Sequence, residues 1–180
     1  MRQELRIAGF GGQGVISMGI LIAVAVGKYE GKPVAQTQSY GPEARGGACK
    51  TEVVISDTEI DYIEALQPDV LIAMSQPALD KYITDVDHEK CIIIIDDSLV
   101  DLVPESLKNV YRIPATRIAE EKFGTGVVAN VVMFGAFAQL SGMVLTDSCM
   151  KSLKDNMQPK FLDMNYNAFN AGYHCAEQLH

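Results

Sequence analysis

The chain has only four cysteines among its 180 residues, and no two of them lie close together. They are Cys49, Cys91, Cys149 and Cys175, so a C-x-x-C pair does not occur. Iron–sulfur and zinc sites need closely spaced thiolates, because a short loop must present several ligands to one small centre. We therefore expect no metal site on this chain, and four reduced cysteines that behave as small hydrophobic side chains.

An excess of positive charge is also missing. Fifteen basic residues stand against twenty-three acidic ones, which gives a formal net charge of -8. Proteins that bind nucleic acid or anionic membranes neutralise phosphates with clustered Lys and Arg. We therefore expect neither nucleic acid nor a membrane among the partners.

No apolar segment near the N-terminus is long enough to cross a bilayer. The longest, residues 15–27, covers about half to two-thirds of a span, and it follows a glycine loop where a secretory signal would have a basic region. Hydrophobic residues make up 48% of the chain, enough for a sizeable core. We expect a soluble cytoplasmic protein with a single domain over residues 1–180.

Recognisable catalytic groups are scarce. His88 lies in a charged turn, and His174 stands beside Cys175, where adjacent helical side chains diverge by about 100 degrees. Asp96 and Asp97 follow an apolar run, a position where caps and solvated strand ends are common. No nucleophile, base and orienting group form a set, so we predict no catalytic residue.

Segments with strand and helix patterns alternate along the chain. Two of them, "PDVLIAM" and "KCIIIIDD", are continuous apolar runs typical of strands buried on both faces of a sheet. Strands are predicted at residues 5–8, 34–39, 51–56, 68–74, 90–97 and from 109 to Pro114. Helices are predicted at residues 15–27, 75–86, 116–124, 127–142 and 159–179. This alternation predicts an α/β fold, a three-layer α/β/α sandwich around a mostly parallel, Rossmann-like sheet.

Three helices carry local signals. Ser75 is placed to cap the helix that contains Pro77 in its first turn. The segment 127–142 has small residues suited to close helix packing, and Asn130 is the only strongly polar residue in its first two turns. On the last helix a core-facing stripe is predicted from residues three or four apart. Its members are Phe161, Met164, Ala168, Gly172 and Cys175.

Gly9, Gly11 and Gly14 form the pattern G-x-G-x-x-G directly after the first predicted strand. In dinucleotide-binding proteins such glycines permit a tight turn and bring a pyrophosphate to the N-terminus of the next helix. That site also needs an acidic residue at the end of the second strand. Here the strand reads "PVAQTQSY", and Glu30 lies before it. The missing acid weakens NAD binding, and two interpretations stay open: an anion site, or simply a tight strand-to-helix turn.

A second glycine-rich loop, "SYGPEARGGAC", occupies residues 39–49. If the strand before it runs parallel to the first strand, this loop and the first glycine turn lie at the same edge of the sheet. Arg45 could then bind a phosphate or carboxylate, with Glu43 holding it in place. A solvated turn without a ligand is the alternative.

Four segments together resemble the gamma subunit of the 2-oxoacid:ferredoxin oxidoreductases. They are "GFGGQGV", "QSYGPEARGG", "EEKFGTGVVANVVMFGA" and "NAFNAGY", and the resemblance spans nearly the whole chain. The form "SYGPEARGG" is similar to the 2-oxoglutarate and branched-chain types more than to the pyruvate type, and we favour 2-oxoglutarate.

The resemblance implies a multi-subunit enzyme that converts a 2-oxoacid and coenzyme A to an acyl-CoA and carbon dioxide, with electrons passed to ferredoxin. It further implies alpha, beta and delta subunits as partners, which hold thiamine diphosphate, Mg and the iron–sulfur clusters. This chain alone is then expected to be inactive, and a homodimer of the isolated chain is compatible with an exposed partner-binding face.

The candidate binding residues come from the two glycine loops, with coenzyme A as the expected ligand. They are Gly9, Gly11, Gly12, Gln13, Gly14, Tyr40, Glu43, Arg45, Gly46 and Gly47. Two alternatives remain: a free-standing NAD-binding oxidoreductase and a purely structural assembly subunit.

Overall fold

The computed structural model describes residues 1–40 and 48–179. Six strands and six α-helices follow one another in the described chain. The strands are β1 (Arg2–Phe10), β2 (Val34–Ser39), β3 (Ala48–Ser56), β4 (Val70–Ala73), β5 (Ile92–Asp96) and β6 (Asn109–Ile113). The helices are α1 (Val15–Val24), α2 (Gln76–Tyr82), α3 (Ala115–Phe123), α4 (Ala129–Ser141), α5 (Thr146–Asn156) and α6 (Leu162–Glu177).

The strands form one sheet in the order β2-β3-β1-β4-β5-β6. The pairs β1–β4, β4–β5 and β5–β6 are parallel, whereas β3 is antiparallel to both β1 and β2. Two antiparallel pairings leave β1 and β2 pointing in the same direction, with β3 between them. The prediction of a mostly parallel α/β sheet is confirmed, and so is the condition that placed the end of β2 at the same edge as the glycine turn.

Most helices cover one face of the sheet. Residues of α1, α3, α4, α5 and α6 share one hydrophobic cluster with the sheet, and α2 contributes to a smaller cluster on the other face. Helix α4 lies deepest, since eleven of its thirteen residues are buried. A helix that is buried on nearly all sides belongs to the core. Helix α4 therefore fixes the position of the residues at its two ends.

Glycines allow α4 and α6 to touch backbone to backbone. A Cβ atom at Gly135 would collide with the carbonyl oxygen of Phe169, and one at Gly172 with that of Val132. The rings of Phe134 and Phe169 meet edge to face, with 5.2 Å between centroids. Gly135, one of the small residues predicted to favour close helix packing, makes such a contact.

The stripe predicted on the last helix is only partly correct. Ala168 and Gly172 are buried, but Phe161 is 44% exposed, and Met164 and Cys175 are half-buried. The buried side of α6 consists of Asn165, Ala168, Phe169, Gly172 and Ala176. The two glycine contacts with α4 determine which side of α6 is buried. The spacing of hydrophobic residues does not predict these contacts.

A buried ion pair connects the middle of β1 to β3. The Arg6 guanidinium donates to Glu52 at 2.8 Å, to Asp85 at 2.6 Å and to the carbonyl of Ala65 at 2.8 Å. Lys50 also donates to Glu52, at 2.7 Å. Burial alone would raise the pKa of the Glu52 carboxyl, and the hydrogen bonds and charges of Lys50 and Arg6 bring that pKa below its ordinary value instead.

Each predicted strand and helix is present in the structure, but several bounds differ: β1 begins at Arg2 and not at residue 5, and α2 ends at Tyr82 and not at residue 86. Ser75 caps α2 as expected, accepting a hydrogen bond from the Ala78 N–H at 3.3 Å. Strand β3 begins three residues earlier than the predicted residue 51, and α5 was not predicted. In the described residues, the helices are all too short or too polar to span a membrane.

Candidate functional site

The glycine turn lies at the carboxyl end of β1. The Gln13 N–H donates to the Phe10 carbonyl at 3.2 Å, which closes the turn, and Gly12 and Gly14 have φ angles of 90° and 73°. Side chains with a Cβ atom rarely adopt these angles, so glycine is required at both positions. Gly11 is exposed, and a Cβ atom there would meet nothing within 4 Å. The outer side of the turn is therefore open.

The side chain of Gln13 stabilises the turn with two hydrogen bonds. Its Oε1 accepts from the Phe10 N–H at 2.6 Å, and its Nε2 donates to the Met74 carbonyl at 2.9 Å. A Cβ atom at Gly9 would lie 2.5 Å from that Oε1, so the small first glycine makes room for the glutamine. Through these two hydrogen bonds Gln13 joins the end of β1 to the residue that follows β4.

The N-terminus of α1 begins immediately after the turn. Gly14 is its N-cap residue, and no side chain caps the helix or places a carboxylate in its first turn. The first N–H groups of a helix have no acceptor within the helix, and the helix dipole places partial positive charge there. This end of α1 is consequently suited to an anion.

The amide of Asn130, the second residue of α4, meets the same turn. Its Nδ2 donates to the Gly14 carbonyl at 3.2 Å, and a Cβ atom on Gly14 would collide with this amide. In the dinucleotide fingerprint the third glycine makes room for a strand. Here Gly14 makes room for a side chain of α4, so a residue that sequence reasoning left out of the site belongs to it.

A cleft of about 530 Å³ opens beside the turn. None of its lining side chains is charged. They are Gly12, Gly14, Ser17, Thr125, Val127, Val128, Asn130, Val131, Asn156, Met157, Gln158, Phe161, Met164 and Asn165. The first turn of α1, the start of α4 and the segment between α5 and α6 therefore enclose a neutral, largely apolar space.

The carboxyl end of β2 reaches the same edge of the sheet as the turn. Ser39 pairs with Lys50, and Gly9 pairs with Cys49, so two strand spacings of about 5 Å each separate Ser39 from Gly9. Tyr40 follows and is 68% exposed. The other predicted binding residues of this loop, Glu43, Arg45, Gly46 and Gly47, lie outside the described residues.

The position that binds ribose in dinucleotide-binding proteins is different here. Antiparallel β3 lies between β1 and β2, so the second strand of the chain is not a neighbour of β1. Glu30 follows the helical segment beyond α1, where it accepts from the Leu145 N–H at 2.8 Å and pairs with Lys32 at 3.5 Å. Neither feature places a carboxylate near the glycine turn.

The other candidate side chains have structural partners. Asp96 is fully buried and accepts hydrogen bonds from the Ser98 N–H and from the N–H and hydroxyl of Thr116, so it caps α3. Asp97 pairs with Arg112 at 2.7 Å. His88 contacts Ser106 and the Ile83 carbonyl.

The cysteines lie apart and are free. Burial raises the pKa of the Cys91 thiol to about 12, and it also raises the pKa values of the Cys49, Cys149 and Cys175 thiols. Across residues 1–40 and 48–179, no three His, Cys, Asp or Glu side chains come together in a group that could hold a metal ion. The donor set needed for an iron–sulfur cluster is thus not formed by the described residues.

Residues 4–175 match the sequence model of the pyruvate ferredoxin/flavodoxin oxidoreductases. The chain belongs to this family. It is 45% identical to the 2-oxoglutarate synthase subunit KorC of Methanocaldococcus jannaschii, over 99% of this chain and 96% of that protein. Relatives of this family are subunits of oxidoreductase complexes, so the resemblance found in the sequence is confirmed.

Two solved structures of the family share the fold. The gamma subunit of a keto/oxoacid ferredoxin oxidoreductase from Geobacter sulfurreducens is 36% identical, with a TM-score of 0.91 over 99% of this chain and 98% of that one. A 2-oxoglutarate:ferredoxin oxidoreductase from Magnetococcus marinus, with 2-oxoglutarate, coenzyme A and succinyl-CoA bound, is 25% identical, with a TM-score of 0.87. The match covers 99% of this chain but only 32% of that longer polypeptide. The comparisons support the gamma-subunit prediction and not a free-standing NAD-binding oxidoreductase.

Proposed function

We propose that this chain is the gamma subunit of a 2-oxoglutarate:ferredoxin oxidoreductase and that it assembles with alpha, beta and delta subunits. The full-length similarity to a 2-oxoglutarate synthase subunit carries this proposal. In the reaction, 2-oxoglutarate loses its carboxyl group as carbon dioxide, the remaining acyl group forms a thioester with coenzyme A, and two electrons pass to ferredoxin.

The chemistry belongs to the partner subunits in this proposal. Thiamine diphosphate with Mg and the iron–sulfur clusters are assigned to those subunits, and the described part of this chain offers no group of side chains that could hold a metal ion. Asp96, the most deeply buried carboxylate of the sheet edge, is occupied as a helix cap. The chain completes the enzyme without forming its reaction centre.

The contribution of this chain is to hold coenzyme A at the carboxyl edge of its sheet. The uncapped N-terminus of α1 and the open side of Gly11 and Gly12 offer N–H groups to a phosphate. Strand β2 ends and β3 begins at the same edge of the sheet, and in this proposal the segment that follows Tyr40, with Glu43, Arg45, Gly46 and Gly47, contributes the Arg45 guanidinium to the same anion. Gly9, Gln13 and Gly14 shape the turn from within.

Purification of the native complex through a tag on this chain tests the proposal. We expect co-purifying subunits, iron and thiamine, and ferredoxin reduction that requires both coenzyme A and 2-oxoglutarate. Pyruvate and 2-oxoisovalerate at equal concentration are the matched substrates and should react more slowly. Recovery of a lone chain that is fully functional, or activity independent of coenzyme A, would contradict the proposal.

A further inference from the structure

The outer edge of β2 is open and carries no charge. Strand β2 ends the sheet, and among the described residues its only neighbour in the sheet is β3. Edge strands of natural proteins usually contain a charged residue, a proline or a bulge that prevents pairing with another chain. The opposite edge strand, β6, has the exposed Arg112 and is followed by Pro114. Strand β2 reads "VAQTQS" and contains neither a charge nor a proline.

The register of β2 shows which of its main-chain groups face outward. The Ser56 N–H donates to the Pro33 carbonyl at 3.0 Å, and hydrogen-bonded pairs alternate along an antiparallel ladder. Every second residue of β2 therefore points its N–H and C=O groups away from β3. These residues are Val34, Gln36 and Gln38. No described residue hydrogen-bonds to those main-chain groups, so another strand can pair with them.

Helix α1 exposes an apolar side next to this edge. Residues 15–27 contain no charged residue, and a helix of that kind is normally covered on all sides. However, Ile20 is 40% exposed, and Ala23, about one turn further along the same side, is half-buried. After another turn, a Cβ atom on Gly27 would lie 2.7 Å from Cγ1 of Val34 in β2. This side of α1 therefore borders the open strand edge.

We propose that two copies of this chain associate through the uncharged surface formed by β2 and the exposed side of α1. Their β2 strands pair antiparallel about a two-fold axis at Gln36. In this register Gln36 lies opposite Gln36 of the second copy, and Val34 lies opposite Gln38 of the second copy. The outward N–H and C=O groups of both strands all gain partners, and one set of residues serves both copies, as a two-fold interface requires.

The charge of the chain favours a second copy at this surface. Two molecules with a net charge of -8 repel each other, and the uncharged surface lets them meet without burying like charges. Lys32 precedes β2, and Glu64 lies beside its other end, near Gln38. Antiparallel pairing brings these opposite ends together, so like charges do not face each other. A pair of short strands is small beside the about 1,600 Å² of a stable interface, so the apolar side of α1 must supply further contact area.

Sedimentation equilibrium of the isolated full-length chain tests the proposal. Ile20→Glu places a charge in the surface, and Gln38→Pro removes an outward N–H without removing a hydrogen bond to β3. Leu102→Glu is the matched control, because Leu102 is 73% exposed in a loop outside the surface. Circular dichroism establishes that each variant is folded, and Gln38→Pro still decides the question where Ile20→Glu does not fold.

We expect the wild-type chain to have twice the mass of one chain and to dissociate on dilution. Ile20→Glu and Gln38→Pro should each raise the dissociation constant of the dimer at least about tenfold, since one buries an unpaired charge and the other loses a main-chain hydrogen bond. Leu102→Glu should behave as wild type. A wild-type chain that stays monomeric at every concentration, or a dimer that neither variant weakens, would overturn the inference.

Cross-linking identifies the molecule that covers the surface in the assembled complex. In the proposed register the two copies of residue 38 lie about 14 Å apart, so a bis-maleimide of that length should join two copies of Gln38→Cys. Wild type and Leu102→Cys, treated in the same way, should give no such product. A product between Gln38→Cys and a different subunit would show that a partner subunit pairs with β2 and would overturn the inference. The proposed function does not depend on either result, because it is tested by the activity of the complex.

Discussion

The side-chain amide of Asn130 donates a hydrogen bond of 3.2 Å to the carbonyl oxygen of Gly14, which lies 116 positions earlier in the chain. This contact joins the start of α4, the most deeply buried helix, to the turn at the end of β1. The conformation of the turn is therefore fixed by the core and not only by its own glycines.

Replacement of Gly14 tests this dependence. Gly14→Ala should destabilise the isolated chain by about 2 kcal/mol or more, because alanine disfavours a φ of 73° and its Cβ would displace the Asn130 amide. Gly11→Ala is the matched control, since its Cβ would meet nothing within 4 Å. Urea unfolding of both variants measures the difference, and equal free energies of unfolding would show that the turn is not held by α4.

The Arg6–Glu52 pair should give the chain a component of stability that depends on pH. Because folding lowers the pKa of Glu52, its contribution is complete above the ordinary pKa of a glutamate, about 4.3, and is lost as the pH falls through the lowered value. Glu52→Gln should cost about 3 kcal/mol at pH 7, since it leaves the buried Arg6 charge without its main partner.

Urea unfolding of wild type and Glu52→Gln from pH 7 to pH 3 measures this effect. The difference between the two curves should begin to shrink as the pH falls below the ordinary pKa of a glutamate. Asp85→Asn removes a carboxylate that is 44% exposed and should cost less than about 1 kcal/mol. A constant difference between wild type and Glu52→Gln across the whole range would exclude the titration of Glu52 as its cause.

Arg45 is expected to bind an anionic group of coenzyme A. Arg45→Ala should raise the KM for coenzyme A in the assembled complex about tenfold, because hydrogen bonds to charged groups contribute more than neutral ones. Arg45→Lys should restore part of the affinity, and Arg117→Ala, an exposed arginine of α3, should have no effect. An unchanged KM in an intact complex would leave Arg45 as an interface residue or a solvated one.

The cysteines should differ in their reactivity. Cys91 and Cys149 are buried and have raised thiol pKa values, so both should resist iodoacetamide at pH 8 in the folded chain. Cys175 is half-buried and should react slowly, and all four should react after unfolding. Mass spectrometry of the labelled peptides measures this order. Rapid labelling of Cys149 in the native protein would indicate that α5 opens locally.

Local signals predicted much of this structure. The apolar run before Asp96 predicted β5, and Ser75 was predicted correctly as the cap of α2. The three glycines predicted the turn at its observed position. The insertion of β3 between β1 and β2 depends on pairing between distant segments, which no local pattern encodes. The strand order determines which strands lie beside the glycine turn.

The cleft was not predicted, for a related reason. Asn165 resembles its exposed neighbours Asn167 and Asn170 in sequence, and only the packing of α6 on α4 determines which of the three is buried. Asn130 did give a signal, as a single polar residue in an apolar segment. Its contact with Gly14 could not be predicted from the sequence, because the two residues meet only in the folded structure.

The antiparallel position of β3 also bears on how such subunits diversify. Ser39 pairs with Lys50, so the loop that carries Arg45 closes a hairpin whose two ends are held by the sheet. A loop of different sequence or length can replace it without any change in strand order. Changes confined to this short segment would therefore leave the six-stranded scaffold in place.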